Sequence, residues 1–457
     1  MSVRAHIGVW CLLLVLPGAQ AFASEDLLSA DLPSLMEKAR SPAAREQLRW
    51  LAMTAIERSP AVREAGANRR AAQYDRLEAE GAHYPQIDLD ADSRWSHGLS
   101  DVGREDFSGR PSYSVTASYL LFDAGRTDKL IASRAGAEDA ALSRVQAAKL
   151  AVAGEAVLTA LELSRLRAQI AAADGYLERI QQLVEMLARI TAEDPGRLGE
   201  LTQARSRVLQ AKVSRESLMA RAAQTELLLQ KLIGNEHAAI DQLELVFLDT
   251  PALETLIESI AQHPLVRQAD FEALAGQHYA HSLAAARKPK VNLIATHTPI
   301  TPGLSGDTAL YAGVRLNYTL FKGFSDRAAE HAALERATGA QNKREQLVME
   351  RVTTVRALYS LAHAQLARAK EYLSLLKESD QVRRDFFVQW REMGRRSLFE
   401  LLAAESEHHN LVMVQLDTWF DALSGMARVR VESGALLGLI GVAGDEVVAA
   451  KPWQMAD

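Results

Sequence analysis

Four segments of the chain alternate apolar and polar residues with a period of two, the pattern of β-strands that have one apolar and one polar face. They span 86–95, 112–122, 290–297 and 309–321. Loops rich in glycine and proline, at 98–111 and 299–306, join the segments in pairs. The pattern therefore predicts two β-hairpins, at about 86–122 and about 290–321.

The alternation of apolar and polar residues in these strands has two possible explanations. One is an antiparallel sheet packed on the core of a soluble protein, which has one apolar and one polar face. The neighbouring segments, however, are helices too long to cover a small sheet, and strands of this length with tyrosines near their ends are typical of a transmembrane barrel wall. The residues predicted to face a lumen are Asp88, Asp90, Asp92, Arg94 and Arg315. The residues predicted to face lipid are Tyr113, Val115, Val314, Leu316 and Tyr318.

Long proline-free stretches follow each hairpin, at 126–194 and 324–393. In the first stretch, apolar or small residues recur in steps of four and three from Val152 to Leu187, which is the heptad pattern of a coiled coil. Each stretch predicts a helix of roughly 100 Å that turns at a glycine and is followed by a returning helix. The turning glycines are predicted to be Gly196, within 191–199, and Gly394, within 391–398.

The order of these elements occurs twice. Pro60 aligns with Pro264 and Pro85 with Pro289, both 204 residues apart. Within each copy the two prolines bracket a predicted helix that precedes a hairpin. The chain is therefore predicted to be two tandem copies of one unit, at 24–234 and 254–441. A linker at 235–253 joins the copies, and a tail at 442–457 follows them.

The first 23 residues have the anatomy of a cleaved secretory signal peptide. Arg4 precedes an apolar stretch from Ile7 to Leu16, and small residues place the cleavage site after residue 21 or 23. The single cysteine, Cys11, lies inside this stretch, so the mature chain is expected to contain none. Disulfides and thiolate chemistry are therefore not expected in the mature protein.

Composition and charge exclude several classes of function. The 457 residues are 48% hydrophobic and 24% charged with a formal net charge of −6, so no basic surface for nucleic acid is expected.

Two histidine-containing clusters have the residue types of metal ligands. They are interpreted as solvated helix faces, because they lack the further ligands and the open coordination position of a metal site. These clusters are His278 with His281, and Glu405, Glu407, His408 and His409. No cofactor motif occurs, and no enzymatic activity, cofactor or metal site is predicted.

Four strands per chain set a limit on the assembly. Unpaired strand edges are not stable in hydrocarbon, and bacterial barrels begin at eight strands. Two chains would supply eight strands and three would supply twelve. A lumen lined by charged residues favours the larger barrel, so a cyclic homotrimer is predicted.

The succession of signal peptide, helix, hairpin ending in Leu-Phe, glycine and long helical hairpin, all repeated, resembles the TolC family of trimeric outer-membrane efflux and secretion channels. The motifs are "LFDAG" from Leu121 and the shorter "LFKG" from Leu320, and the resemblance extends from about Leu48 to Gly441. It implies a mainly α-helical fold with membrane β-structure, in which a twelve-stranded barrel continues into a helical barrel. It also implies the outer membrane of a Gram-negative bacterium as location, with extension into the periplasm.

The same resemblance implies partners and gate residues. The partners are outer-membrane lipid, a periplasmic adaptor protein and an inner-membrane ABC or other export transporter, and the segment from Phe386 is most similar to members that serve type I secretion. The gate residues implied at the helical turns are Glu200, Arg396 and Glu400, with Ala403 where some members have a second aspartate. A partly desolvated arginine–carboxylate pair would hold a closed tip. The other interpretation is that these are solvated residues of the tip.

A periplasmic coiled-coil adaptor or scaffold without a membrane barrel is the alternative function. Such a protein shares the export signal and long hairpins, but normally has one hairpin flanked by compact β domains. Here two copies alternate strands and helices. Cell fractionation distinguishes the two, because a scaffold is released with the periplasm and a barrel needs detergent.

Overall fold

The computed structural model describes residues 42–99, 105–234, 243–249, 251–298, 309–392 and 395–441. The signal peptide, most of the linker, Gly394 and the tail from residue 442 lie outside these ranges. In the first repeat the elements are α1 (Pro42–Arg58), α2 (Pro60–Gly81), β1 (Gln86–Leu99), β2 (Glu105–Phe122), α3 (Arg126–Glu193) and α4 (Leu198–Ile233). In the second they are α5 (Leu253–Ser259), α6 (Pro264–Ala285), β3 (Lys290–Thr298), β4 (Ala309–Asn317), α7 (Ser325–Arg391), α8 (Leu398–Glu432) and α9 (Ala435–Leu439).

The predicted fold class is confirmed, because each repeat contains one β-hairpin followed by one pair of long helices. The matching helices α2 and α6 each contain 22 residues and begin at the aligned prolines. Proline suits the first helical position because its missing N–H would have no partner there. The residue before each proline caps the helix, since Ser59 Oγ accepts from Val62 N and His263 Nδ1 accepts from Leu265 N.

The two hairpins lie side by side in one antiparallel sheet of order β1-β2-β3-β4. One row of paired residues across the sheet is Asp88, Thr116, Thr296 and Tyr311, and the adjacent row is Ile87, Ala117, Ala295 and Ala312. Because neighbouring residues of a strand point to opposite faces, the register gathers the polar positions of all four strands on one face.

Strand β4 ends at Asn317, four residues before the end of the expected hairpin at Phe321. Asn317 pairs with Lys290, the first residue of β3, so the next residue would have to pair with Pro289. Proline has no backbone N–H to donate to the ladder. Tyr318 and Phe321 therefore follow the strand and do not belong to it.

The chain divides into two compact units. The first, called here the helical unit, includes Leu158–Asp249 and Leu361–Ser424. Its core contains Ile180 and Leu187 of α3, Leu201 of α4 and Leu401 of α8, all 5% exposed or less. The second, called the sheet unit, includes Leu48–Val157, Thr250–Ser360 and the chain from Gly425.

Small residues allow the helices of the sheet unit to approach closely. A Cβ atom added at Gly154 of α3 would lie 2.9 Å from a methyl group of Val431 in α8. This separation is shorter than carbon atoms normally tolerate, so a larger residue would displace a helix. None of the helices that the structure describes has the length and apolar character required to cross a bilayer.

Candidate functional site at the ends of the helical hairpins

The turn between α3 and α4 is built on Asp194. Its Oδ1 accepts a hydrogen bond from Gly196 N at 3.0 Å, and Pro195–Arg197 form one turn of 3₁₀ helix. Glu200 follows in the first turn of α4, where a carboxylate is stabilised by the free N–H groups of the helix. Its Oε2 is buried and accepts no hydrogen bond from the described residues of the chain.

The turn between α7 and α8 contains a capping box. Ser397 Oγ accepts from Glu400 N at 3.3 Å, and Glu400 Oε2 accepts from Ser397 N at 3.0 Å. This reciprocal pair satisfies two N–H groups that otherwise have no partner at a helix start. The motif Ser-x-x-Glu is a local sequence signal for this helix start and was not among the predictions above. It fixes where α8 begins and how Glu400 is oriented.

The structure brings Arg396 and Glu400 together. Arg396 Nη1 lies 2.8 Å from Glu400 Oε1, its Nε donates to Gln389 Oε1 at 3.1 Å, and its guanidinium carbon lies 4.4 Å from the ring centroid of Phe386. The backbone N–H of Ser397, followed by Arg396, lowers the pKa of Glu400. Within a single chain, neither the ion pairs nor the hydrogen bonds of the described residues join Arg396 to Glu200.

A second ionic cluster lies deeper in the helical unit, around Glu405 of α8. Glu405 is 3% exposed, and its two carboxylate oxygens bind two arginines from different helices. Arg179 of α3 contacts Oε2 at 3.2 Å, and Arg383 of α7 contacts Oε1 at 3.1 Å. One buried carboxylate therefore links three helices.

Asp380 extends this cluster on α7. Arg383 Nη2 lies 2.5 Å from Asp380 Oδ1, and Arg384 Nη2 lies 2.7 Å from Asp380 Oδ2. Burial acts to raise the pKa of Asp380, but the hydrogen bond and charge of Arg383 and the charge of Arg384 outweigh it, so this pKa is lowered. Burial acts to lower the pKa of Arg383, but the hydrogen bonds and charges of Asp380 and Glu405 outweigh it, so this pKa is raised. Asp380 and Arg383 are thus both charged at neutral pH.

The interpretation of Glu405 and His409 as solvated residues is wrong. His409 is 9% exposed, and its ring stacks on Tyr176 with centroids 4.3 Å apart and an interplanar angle of 8°. Burial, with the charge of Arg179, lowers the pKa of His409 to about 4. Glu407, on the other side of α8, is exposed as expected. The residues that the structure describes contain no group of three acids or histidines placed to hold a metal ion.

A polar groove of about 670 Å³ lies beside this cluster, between α3, α4 and α8. Arg165 approaches Asp417 at 3.7 Å and Asp421 at 3.5 Å, and Gln169 donates to Asp417 at 2.8 Å. Burial raises the pKa of Asp417 although Arg165 acts to lower it. Sequence reasoning missed this groove because its residues come from three distant parts of the chain.

The residues predicted for the strand faces separate as their pattern required. The register places Asp88, Asp90 and Arg315 on one face of the sheet and Val115, Val314 and Leu316 on the other. Tyr318 follows the end of β4 and is 54% exposed. The side chains of Asp92, Arg94 and Tyr113 lie outside the described part of the structure.

Comparison with known proteins gives one family and one fold. Residues 51–235 match the model of the outer membrane efflux protein family. Among solved structures, CusC covers 85% of this chain and 92% of its own with 17% identity and a TM-score of 0.76. The outer-membrane channel OprN covers 87% of this chain and 91% of its own, with 18% identity and a TM-score of 0.73. The outer membrane protein VceC from Vibrio cholerae covers 87% of this chain and 96% of its own, with 18% identity and a TM-score of 0.71. No curated protein sequence matches the chain.

The described fold, with two β-hairpins in one sheet and paired long helices, is the fold of the outer-membrane channels to which the chain is similar. The family match over the first repeat confirms the resemblance to the TolC family. The relatives in this family are efflux channels and not enzymes.

Replacing Glu405 is expected to destabilise the helical unit, because Arg179 and Arg383 would lose the buried charge that they share. Glu405→Ala should lower the free energy of unfolding by about 3 kcal/mol. The matched control is Glu407→Ala, two residues away on the exposed side of α8, which should change it by less than about 0.5 kcal/mol. Denaturant unfolding of the detergent-solubilised protein measures both. Equal effects of the two variants would show that the cluster does not stabilise the fold.

Acidification is expected to destabilise the protein through His409. Its pKa is about 4 in the folded protein and 6.5 when unfolded, so between these values the unfolded chain binds more protons. Stability is therefore complete above pH 6.5 and is lost as the pH falls toward 4, by roughly 3 kcal/mol. His409→Phe keeps an aromatic ring against Tyr176 and should flatten the dependence of stability on pH. Buried His263, also with a pKa of about 4, supplies a remaining slope. An unchanged slope in His409→Phe would mean that His409 is not neutral in the fold.

Proposed function

We propose that three copies of this chain close one β-barrel and one helical duct, and that the duct is the outer-membrane exit of an efflux or type I secretion system. The observation that carries this proposal is the open sheet. Among the strands that the structure describes, β1 and β4 each pair with one neighbour, on one side. Their free edges need partners in a membrane, because hydrocarbon supplies no hydrogen bonds.

The strand order supports closure between copies. Because all neighbours in the sheet are antiparallel, β1 and β4 run in opposite directions. Strand β4 of one copy therefore pairs with β1 of the next in the antiparallel sense, and the cycle closes without a crossover. Three copies give twelve strands, with Asp88, Asp90 and Arg315 facing a water-filled lumen.

Two apolar seams on the helical unit support contact between copies. Leu209, Val213 and Leu227 of α4 are all more than 60% exposed, at spacings of four and fourteen residues. Leu361, Leu375 and Val382 of α7 are 46–53% exposed at spacings of fourteen and seven residues. Exposed apolar residues at heptad spacing are the pattern of an unpartnered coiled-coil face. A neighbouring copy would cover both seams.

The helix ends supply the moving part in this proposal. Arg396 and Glu400 hold the second turn in one geometry, and Glu200 is the acid that we propose pairs with an arginine of another copy. A periplasmic adaptor and an inner-membrane transporter would act on these ends to open the duct. Deleting the protein should abolish either export of a large polypeptide or resistance to small toxic compounds, and the affected cargo separates type I secretion from efflux.

The decisive experiment for the assembly is the mass and membrane partition of the mature protein after detergent extraction. We expect a particle of three chains that requires detergent for solubility, because the apolar sheet face and the strand edges are satisfied only in that form. Light scattering with correction for bound detergent gives the mass. A soluble monomer or dimer in the periplasmic fraction would contradict the channel and support the scaffold.

The tip assignment is tested by conductance. Arg396→Ala removes the ion pair to Glu400 and the contact with Phe386, so the resting single-channel conductance in planar bilayers should rise. Glu200→Ala should raise it too if its carboxylate pairs between copies. The matched control is Arg395→Ala, which removes an adjacent positive charge outside this pair. If conductance is unchanged in both test variants, the gate does not involve these residues.

A further inference from the structure

The two edge strands of the sheet carry opposite charges on the polar face. Asp88 and Asp90 lie on this face of β1, and Arg315 lies on the same face of β4. All three residues are exposed. The residues that directly face them within the chain are uncharged, namely Thr116, Ser114 and Asn292. The acids and the arginine are therefore placed at the two edges that a neighbouring copy would join.

These charges are too far apart to meet within one chain. Strands β1 and β4 lie at opposite edges of the four-stranded sheet. Three spacings between strands, at about 4.8 Å each, separate their backbones by roughly 14 Å. An ion pair between the edges therefore requires a second copy of the chain.

The register also separates the charges along the strand direction. Across the sheet, Arg315 pairs with Asn292, which pairs with Leu120. Continued in the register of β2 with β1, this row reaches the level of Tyr84, two residues before β1 begins. Without a shift between copies, Arg315 would therefore have no strand residue opposite it.

A closed barrel requires such a shift, because its strands tilt and the register is displaced by a fixed number of residues around the circumference. For twelve strands about 4.8 Å apart, with a rise of about 3.3 Å per residue, a tilt of roughly 35–45° corresponds to a total shift of about 12–18 residues. Three identical seams divide this shift equally, into about four to six residues each. The shift at each seam is even, because an odd shift would turn the polar face of one copy toward lipid.

The lengths of the two strands fix the direction of the shift. In one direction, β4 would lie opposite the residues before Gln86, and at most one residue of β1 would face it. In the other direction, all nine residues of β4 face residues of β1. Only the second direction pairs the backbone of β4 within hydrocarbon. It places Arg315 opposite Asp88 at a shift of four residues and opposite Asp90 at a shift of six.

We propose that Arg315 of each copy forms an ion pair with Asp88 or Asp90 of the next copy, on the lumen face of the seam, and that these pairs fix the register in which the barrel closes. In both registers that the tilt allows, a carboxylate lies directly opposite the guanidinium. Opposite charges that face each other across two strands stabilise their pairing, and a slip of one residue would place them on different faces. The proposal rests on the proposed function, because it requires the copies to close one barrel.

Disulfide cross-linking between copies measures the register. Cys11 in the signal peptide is the only cysteine of the chain, so double-cysteine variants of the mature protein have no other thiol. Val314, next to Arg315, would face Leu89 at a shift of four residues and Ala91 at a shift of six. Both positions lie on the apolar face, so the proposed ion pair stays intact. Val314→Cys is therefore combined with Leu89→Cys or with Ala91→Cys, and the detergent-extracted protein is oxidised.

The expected result is that one of the two variants gives covalent dimers and trimers of the chain on non-reducing electrophoresis. The matched control combines Val314→Cys with Asp90→Cys, whose thiols lie on opposite faces, and should give none. Cross-linking of Val314→Cys to Ile87→Cys instead, or to neither Leu89→Cys nor Ala91→Cys in a detergent-dependent trimer, would overturn the proposal. A soluble monomer would mean that the proposed function fails, and the two failures are thereby distinguished.

Charge reversal tests whether the ion pair stabilises the seam. Arg315→Glu places a further acid at the seam and should lower the temperature at which the trimer dissociates in SDS by several degrees. Adding Asp88→Arg or Asp90→Arg, whichever the cross-link identifies, should restore most of this loss, because the two charges are then exchanged. The matched control is Lys290→Glu, which reverses a positive charge on the same face at the start of the inner strand β3. The same aspartate change should not rescue it. An unchanged dissociation temperature in Arg315→Glu would contradict the ion pair.

Discussion

The structure depends on the requirement that every backbone N–H and C=O in hydrocarbon has a hydrogen-bond partner. In the described part of the chain, the two hairpins satisfy this requirement for the inner strands β2 and β3 and leave the outer edges of β1 and β4 without a partner strand. The antiparallel order and the sorting of polar residues to one face follow from that sheet. In the channel that we propose, so does the closed assembly, because isolated edges would pair indiscriminately with other chains.

The long helices are held by a different kind of interaction. Their seams are rich in alanine and leucine, which allows close packing. Because adjacent heptads are then similar in shape, sliding one helix by a heptad would change the apolar packing little. The ionic cluster around Glu405 is specific to one alignment, since its two oxygens bind arginines of two other helices. We infer that the cluster selects this register, because an arginine left without its buried carboxylate partner in another register would be costly. It lies near the ends of the helices, where the register matters most for the geometry of the turns.

Much of the fold follows from the sequence, because strands and long helices have different periods and the repeat shows each period twice. The capping box of Ser397 and Glu400 was also readable, since it is a local motif. The burial of Glu405 and His409 was not, because it depends on where α3 and α7 pack against α8. The early end of β4 depends on Pro289 in the partner strand, so it required the register. Phe324, directly before α7, has a positive φ of 65°. The sequence gives no local signal for it, because phenylalanine does not favour that conformation.

The duplication gives each chain two helical hairpins of similar outline and different chemistry. Five residues after Glu200 the first repeat has Arg205, whereas five residues after Glu400 the second has the buried Glu405. A ring made of three such chains would have six hairpins that are only quasi-equivalent, arranged as two interleaved sets of three. A mutation in one repeat then alters every second hairpin of the ring, so each set can diverge under selection while the other retains its original properties.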